Sequence, residues 1–351
     1  MVDRFGEGFS RSLSDPPPES TVTEEPAETG SCSFADALER GGEVLATHAT
    51  ALRTAPVETR KRRVQAFEAA AEDDPHSVAP VLSACEELLV DDDRAVRLST
   101  AKLFVAVAAG DPDSVVPSVP ALAARLADDE EFYYVRARSA EALGYVALAQ
   151  PETVASPAVL ADLRVGLSFE GSEVREKLAK ALEHVALGDP DRLRHHLPDL
   201  AAHLDDGSAL VRYHLTTALL VVGCVHPTAL ADVTDALLAR FDDEEPHVRG
   251  RALEAYGVLA RSAVDGDPVP AARLVSFADD ESFVARRARF ATAASDEGED
   301  SFEDIGTVAA VGRTTEAAVA AIRAPDGECH HCGVALPEPG PPICPRCGAP
   351  R

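Results

Sequence analysis

"AVRLSTAKLF", residues 95–104, carries an arginine at the head of a helical pattern, and the same frame returns down the chain. It reappears as "VRARSAEALG" from 135, "VREKLAKALE" from 174, "VRYHLTTALL" from 211 and "VRGRALEAYG" from 248. With Arg60 in front, the arginines Arg60, Arg97, Arg136, Arg175, Arg212 and Arg249 stand 37, 39, 39, 37 and 37 residues apart. A second marker keeps nearly the same period: Pro75, Pro112, Pro151, Pro190, Pro227 and Pro268, usually preceded by aspartate (Asp74, Asp111, Asp189, Asp267). Two independent markers sharing one period define an internal repeat.

Between the markers, "DSVVPSVPALAARLADD" and then "VRARSAEALGYVALA" space their apolar residues by three and four, which predicts two helices per unit of about 14–16 residues each. Short acidic turns ("DD", "DDE", "DDG") separate the paired helices, and proline starts the next pair, where its missing N–H costs nothing. One such pair cannot bury its own apolar faces. Stacked pairs build a continuous ribbon of core.

The "D…VRxxAxxAL" signature resembles HEAT repeats, including the phycobilisome-lyase-type variety, over roughly residues 55–292. The resemblance implies an all-α fold, a HEAT-like α-solenoid of six or seven helix pairs. It also implies a structural ladder in which each arginine meets an acid of its own preceding turn. The pairs expected are Asp91 with Arg97, Asp129 with Arg136, Asp206 with Arg212, Asp243 with Arg249 and Asp280 with Arg286, while Arg175 is offered Glu170 or Glu173. Residues that recur so regularly point to structure, not catalysis. In HEAT arrays the second helix of each pair lines the concave side. That makes Tyr133, Tyr134, Arg138, Lys177, Tyr213, His214 and Arg251 the candidate partner-binding residues, with Glu141, Lys180 and Glu254 beside them.

Composition narrows the function classes. Sixty acidic residues face 33 basic ones, for a net charge of -27, and only Lys61, Lys102, Lys177 and Lys180 are lysines. Such acidity resembles a haloarchaeal-type protein, because molar salt screens the self-repulsion that low salt leaves in place. No apolar stretch is long enough to span a bilayer and no signal-peptide core opens the chain, so the expectation is a cytoplasmic protein without membrane contact. Cys32, Cys85 and Cys224 stand singly, which suggests a reducing compartment, not a disulfide framework.

The ends differ from the middle. "SDPPPESTVTEEPAETG", residues 14–30, cannot form a core, and residues 1–33 read as a disordered tail before the repeat region 34–292. Residues 293–325 read as an acidic linker followed by a helix, "IGTVAAVGRTTEAAVAAIR", that caps the array. In 326–351, "CHHCGVALPEPGPPICPRCG" pairs Cys329 with Cys332 and Cys344 with Cys347 at C-x2-C spacing. Four thiolates in that pattern favour one structural, tetrahedral zinc. The segment resembles a small zinc ribbon; iron held as in rubredoxin is the chemical rival, and the aromatic core usual there is absent.

These readings give a non-catalytic protein-interaction scaffold or adaptor, acting through the solenoid surface and the ribbon. One alternative is an accessory or regulatory protein reaching nucleic acid through the ribbon; another is a HEAT-scaffold enzyme of lyase-like or DNA-repair type. Against the first stands the lack of a basic stripe beyond "RKRR" at 60–63, and against the second the lack of HExxH, GxSxG or a Gly-rich phosphate loop. His195 and His196 read as solvent or helix-face residues, and His214, His226 and His247 as bland residues near related turns, or as a shared patch.

Overall fold

Three of the repeats begin with an aspartate-capped turn. Asp74, Asp111 and Asp189 accept a hydrogen bond from the backbone N–H two or three residues on, and the proline that follows takes the first helical position. In the computed structural model the described residues are 34, 36–37, 42–262, 269–293 and 302–323. The N-terminal tail, Asp267 and Pro268, the acidic stretch 294–301 and the cysteine-rich segment lie outside the described residues. Every regular element among the described residues is helical.

After α1 (Gly42–Thr50), the second segments of successive units form one layer: α2 (Val57–Asp73), α3 (Arg94–Gly110), α4 (Tyr133–Ala149), α5 (Ser172–Gly188), α6 (Ala209–Val225), α7 (Pro246–Arg261) and α8 (Ser282–Thr292). Helices α2 to α6 have 17 residues each, a wall about 25 Å high. Their neighbours lie close: a Cβ on Gly144 would sit 2.8 Å from Ala181 Cα, and one on Gly188 only 2.2 Å from the Ala147 carbonyl oxygen. Glycine is what lets α4 and α5 approach that near.

The first segments of the units depart from the single helices that periodicity suggested. Residues 112–127 form a turn of helix (Pro112–Val115), a 3-10 turn (Val116–Ser118) and a helix (Val119–Ala127). The corresponding stretch 75–90 breaks into four short pieces. Prolines inside these runs, Pro80, Pro117 and Pro120, remove N–H donors and force the breaks. The unit is therefore a Pro-led turn, a short outer helix and a long inner helix. One buried apolar cluster runs from Ala37 to Ala255 and takes in Val311, and a second, around Phe241, Leu253, Leu274 and Val284, continues it to the end of the array.

The ladder exists in another register. Arg212 donates from Nη1 to the backbone carbonyl of Asp206 at 2.8 Å, while its Nε and Nη2 fork onto the carboxylate of Asp243, one unit further on, at 2.8 Å each. Arg175 reaches Asp206 (2.6 and 3.1 Å), Arg249 reaches Asp280 (3.2 and 2.8 Å), and Arg60 reaches Asp91 (2.7 Å) in the same way. Asp206, Asp243, Asp280 and Asp91 each also accept a backbone N–H of their own turn. The same-turn side-chain pairs expected for Arg97, Arg212, Arg249 and Arg286 are thus corrected. The first turn of the inner helix points the guanidinium toward the next unit, leaving only the carbonyl of its own turn behind it.

Three rungs vary. Arg97 takes Glu131 (2.8 and 2.9 Å), since the longer turn of that unit moves the carboxylate three residues on. Arg136 does not pair with Glu170, the acid of the next turn; it donates to the Leu126 carbonyl (2.9 Å), lies 3.3 Å from Asp129 and stacks on Phe169. Arg286 pairs with Asp304 at 2.5 Å, and Glu170 offers Arg175 only its backbone carbonyl.

Burial decides what each rung is worth. Arg212 and Asp243 are 6% and 2% exposed, whereas Arg286 and Asp304 are 47% and 43% exposed. Denaturant unfolding in molar salt is expected to show Arg212→Ala destabilised by about 3–5 kcal/mol, because it strands a buried carboxylate. Arg286→Ala should cost no more than about 1 kcal/mol.

Candidate partner-binding groove

Two residues after each ladder arginine, the inner helix turns a side chain onto the open side of the wall. Those positions are Arg62, Ser99, Arg138, Lys177, His214 and Arg251, and three residues further along each helix stand Gln65, Lys102, Glu141, Lys180, Thr217 and Glu254. The helical period alone puts both rows on one face.

In the middle of the wall the rows converge on Glu141, which is 4% exposed. It accepts hydrogen bonds from Arg138 (2.7 Å), Lys177 (2.9 Å) and Lys180 (3.4 Å). Lys180 also donates to the Tyr145 hydroxyl at 2.6 Å and lies over its ring, which packs against His184. Burial pushes the Glu141 carboxyl up, but Lys177, Lys180 and Arg138 together pull it down to about 2. Burial, with Lys180 nearby, pushes His184 down to about 4, so its ring is neutral at neutral pH.

Further along, the wall is not open. Helix α9 (Val308–Arg323) lies across α6 and α7 instead of capping the end of the array, which corrects the expected position of this helix. Its stripe Ala310, Val311 and Ala318 is buried, and Ala318 packs with Tyr213 and Val248. Arg251, fully buried, holds it: Nη2 donates to the Val311 carbonyl (3.1 Å), Thr314 Oγ1 (2.9 Å) and the Tyr213 hydroxyl (3.1 Å). Arg251 Nη1 and Arg287 Nε both donate to Glu254 Oε2, whose other oxygen accepts from the Gly306 N–H at 2.9 Å.

The candidate residues therefore divide. Arg138 and Lys177 stand in the open groove, half-buried. Tyr213, His214 and Arg251, expected to be available to a partner, are sealed beneath α9; His214 pairs with Glu183 at 2.9 Å. Sequence did hold a signal for this. Helix α6, "ALVRYHLTTALLVVGCV", is apolar almost all round, as a helix covered on every side must be. Tyr133 and Tyr134 lie at the edge of the wall instead, with Phe132, beside a cleft of about 690 Å³ where the ladder is broken at Arg136. Tyr133 is exposed there, and the Tyr134 hydroxyl donates to Glu173 at 2.9 Å.

His214, His226 and His247 do not share a partner: His226 meets Asp191, and His247 meets Glu245 at 2.8 Å. His196 lies 3.8 Å from Asp199 and His195 is exposed. Among the described residues no three His, Cys, Asp or Glu side chains are grouped to hold a metal ion. Cys329, Cys332, Cys344 and Cys347 lie outside the described residues. No helix of the described residues is long and apolar enough to cross a membrane.

No protein-family model matches this sequence, and no curated protein matches it either. Solved structures do. An engineered protein superposes at TM-score 0.59 over 71% of this chain and 67% of its own, with 17% identity. A computationally designed armadillo repeat protein for modular peptide recognition matches at TM-score 0.53 and 18% identity, over 61% of this chain and 99% of its own. A designed armadillo repeat protein in complex with the peptide (KR)4 matches at 0.54 and 17%, over 60% and 98%. The fold is a helical-repeat solenoid of armadillo-like form.

Two measurements follow from this geometry. Folded Glu141 titrates below its unfolded counterpart, so its contribution is present above the usual carboxylate value of 4.5 and is lost as pH falls toward about 2. Folded His184 also binds its proton late, so stability falls as pH drops from 6.5 toward about 4. Denaturation curves across pH should show Glu141→Gln flattening the lower window and His184→Gln the upper. Hydrogen exchange should show Glu254→Ala, which strands Arg251 and Arg287, releasing 308–323 more than it loosens α3.

Proposed function

We propose that this chain is a non-catalytic adaptor that holds a segment of a partner protein against its inner wall between α2 and α5. One observation carries the reading: the same wall, further along, already accommodates a polypeptide, the chain's own helix α9, by apolar packing plus side-chain bonds from Arg251. The unoccupied part is built by the same repeat and is mixed in charge. The likeness to non-enzymatic repeat proteins, one of them designed for modular peptide recognition, supports the same class of function.

The finer parts of the proposal rest on sequence. The repeat is of HEAT type, from the arginine-centred signature; the protein is of haloarchaeal type, from its acidity and scarce lysine, and works in the cytoplasm. Cys329, Cys332, Cys344 and Cys347 form a zinc ribbon that gives a second contact or closes the C-terminus.

Affinity capture in about 2 M KCl, where exposed charge is screened within a few ångströms, tests the adaptor. The intact chain would be compared with Ala106→Trp, which fills the groove at the position on α3 corresponding to Tyr145, and with a Cys344→Ser/Cys347→Ser double variant. Each would be run with and without nuclease. A stoichiometric protein retained after nuclease and lost with Ala106→Trp is the expected result. Partners released by nuclease would favour the nucleic-acid reading, and capture indifferent to Ala106→Trp would overturn the groove. Elemental analysis of the full chain should give one zinc per molecule, lost in the double cysteine variant; iron with a visible charge-transfer band would overturn the zinc assignment.

A further inference from the structure

Three of the chain's four lysines, Lys102, Lys177 and Lys180, fall on the two rows that face the groove, and Arg138 joins them. In a chain with 60 acidic and 33 basic residues, this is a local reversal of sign. Arg138, Lys177 and Lys180 share a single buried carboxylate, Glu141. Across the furrow, Glu68 on α2 lies within electrostatic reach of Lys102 and Arg138. Glu72, exposed on the same helix, lies beside Glu68, so four cations converge against three carboxylates, only one of them buried. The cation side chains are recessed: Arg138 is 31% exposed, Lys177 19% and Lys180 17%. Low-dielectric walls around unbalanced positive charge focus the field toward an incoming anion. Lys180 is held in place by the Tyr145 hydroxyl and ring, so it is aimed before anything binds.

Geometry limits the anion. Neighbouring packed helices are about 8–10 Å apart, and an extended chain advances about 3.3 Å per residue. A strand lying across the wall therefore meets a new helix every third residue. Duplex nucleic acid is a poor occupant, because the patch spans only three helices of a surface whose overall charge is -27.

We infer that the open groove over α3, α4 and α5 docks an extended acidic segment of a partner protein, with carboxylates at every third residue met by Lys102, Arg138 and the pair Lys177 and Lys180. This deepens the adaptor reading and rests on it. Helix α9 occupies the equivalent Arg251 and His214 positions, which confines the segment to this half of the wall.

The probe is a fluorescent nonapeptide with aspartate at positions one, four and seven on a Ser/Gly background, titrated against the full-length protein by anisotropy over a KCl series. Matched peptides carry asparagine or lysine at those positions, and a single-stranded oligonucleotide and pyrophosphate serve as competitors. The aspartate peptide should bind at least about tenfold more tightly than the asparagine peptide, with affinity falling as salt rises. A Glu141→Gln/Lys177→Gln/Lys180→Gln variant, which removes cations without stranding the carboxylate, should lose at least about tenfold in affinity. Its circular dichroism spectrum should be unchanged. Equal binding of the asparagine peptide, preference for the lysine peptide, or undiminished binding by the triple variant would each overturn the inference. So would tighter capture of the oligonucleotide or pyrophosphate. A captured partner that Ala106→Trp releases but the triple variant retains would overturn the charge assignment and leave the adaptor standing. Retention by both variants would overturn both.

Discussion

A guanidinium that bonds backward to one turn and forward to the next is the constraint on which the solenoid depends. Arg212 ties the Asp206 carbonyl to the Asp243 carboxylate, and Asp243 in turn fixes its own turn through the Glu245 N–H. Turn, inner helix and neighbouring turn are thereby set in one geometry. The planar fork leaves little freedom in how one unit follows another. Apolar burial drives the stacking, but it is non-directional. The rungs give it a direction. Where the rung fails, at Arg136, Phe169 replaces the carboxylate with its ring and a cleft opens between the turns.

The same arginine positions organise the groove. Because the ladder residue starts each inner helix, the side chains two and five positions later are delivered to one face in every unit. A row that begins as spacing in the sequence becomes a line of charged groups along a wall. At the middle of the wall that line is balanced around Glu141. Over α6 and α7 its counterparts, Arg251 and Glu254, have become the anchor of the chain's own helix. One periodic feature thus serves as an open surface in one half of the array and as a seat in the other.

Much of this was legible. The period, the capped Asp–Pro turns and the ladder arginines were all visible, because each is a local requirement repeated at a fixed interval. The breaks in the outer segments were legible in principle too, since Pro80, Pro117 and Pro120 stand inside runs whose apolar spacing suggested one helix. Three features were not legible. The register of the rungs depends on which way the first turn of each inner helix faces. The position of α9 depends on how far the last unit carries the chain back. The sealing of Tyr213, His214 and Arg251 follows from that position alone.

The amino-acid sequence by itself determined the class of the fold and the placement of its repeating parts, because helix period, proline and capping act within a few residues. It also determined the charge, and with it the rarity of lysine that makes the groove conspicuous. Only the tertiary structure decided which acid each arginine holds and which half of the wall stays open. Those outcomes join residues 31 to 64 positions apart, such as Arg212 with Asp243 and Arg251 with Thr315, and no local rule reaches across that distance.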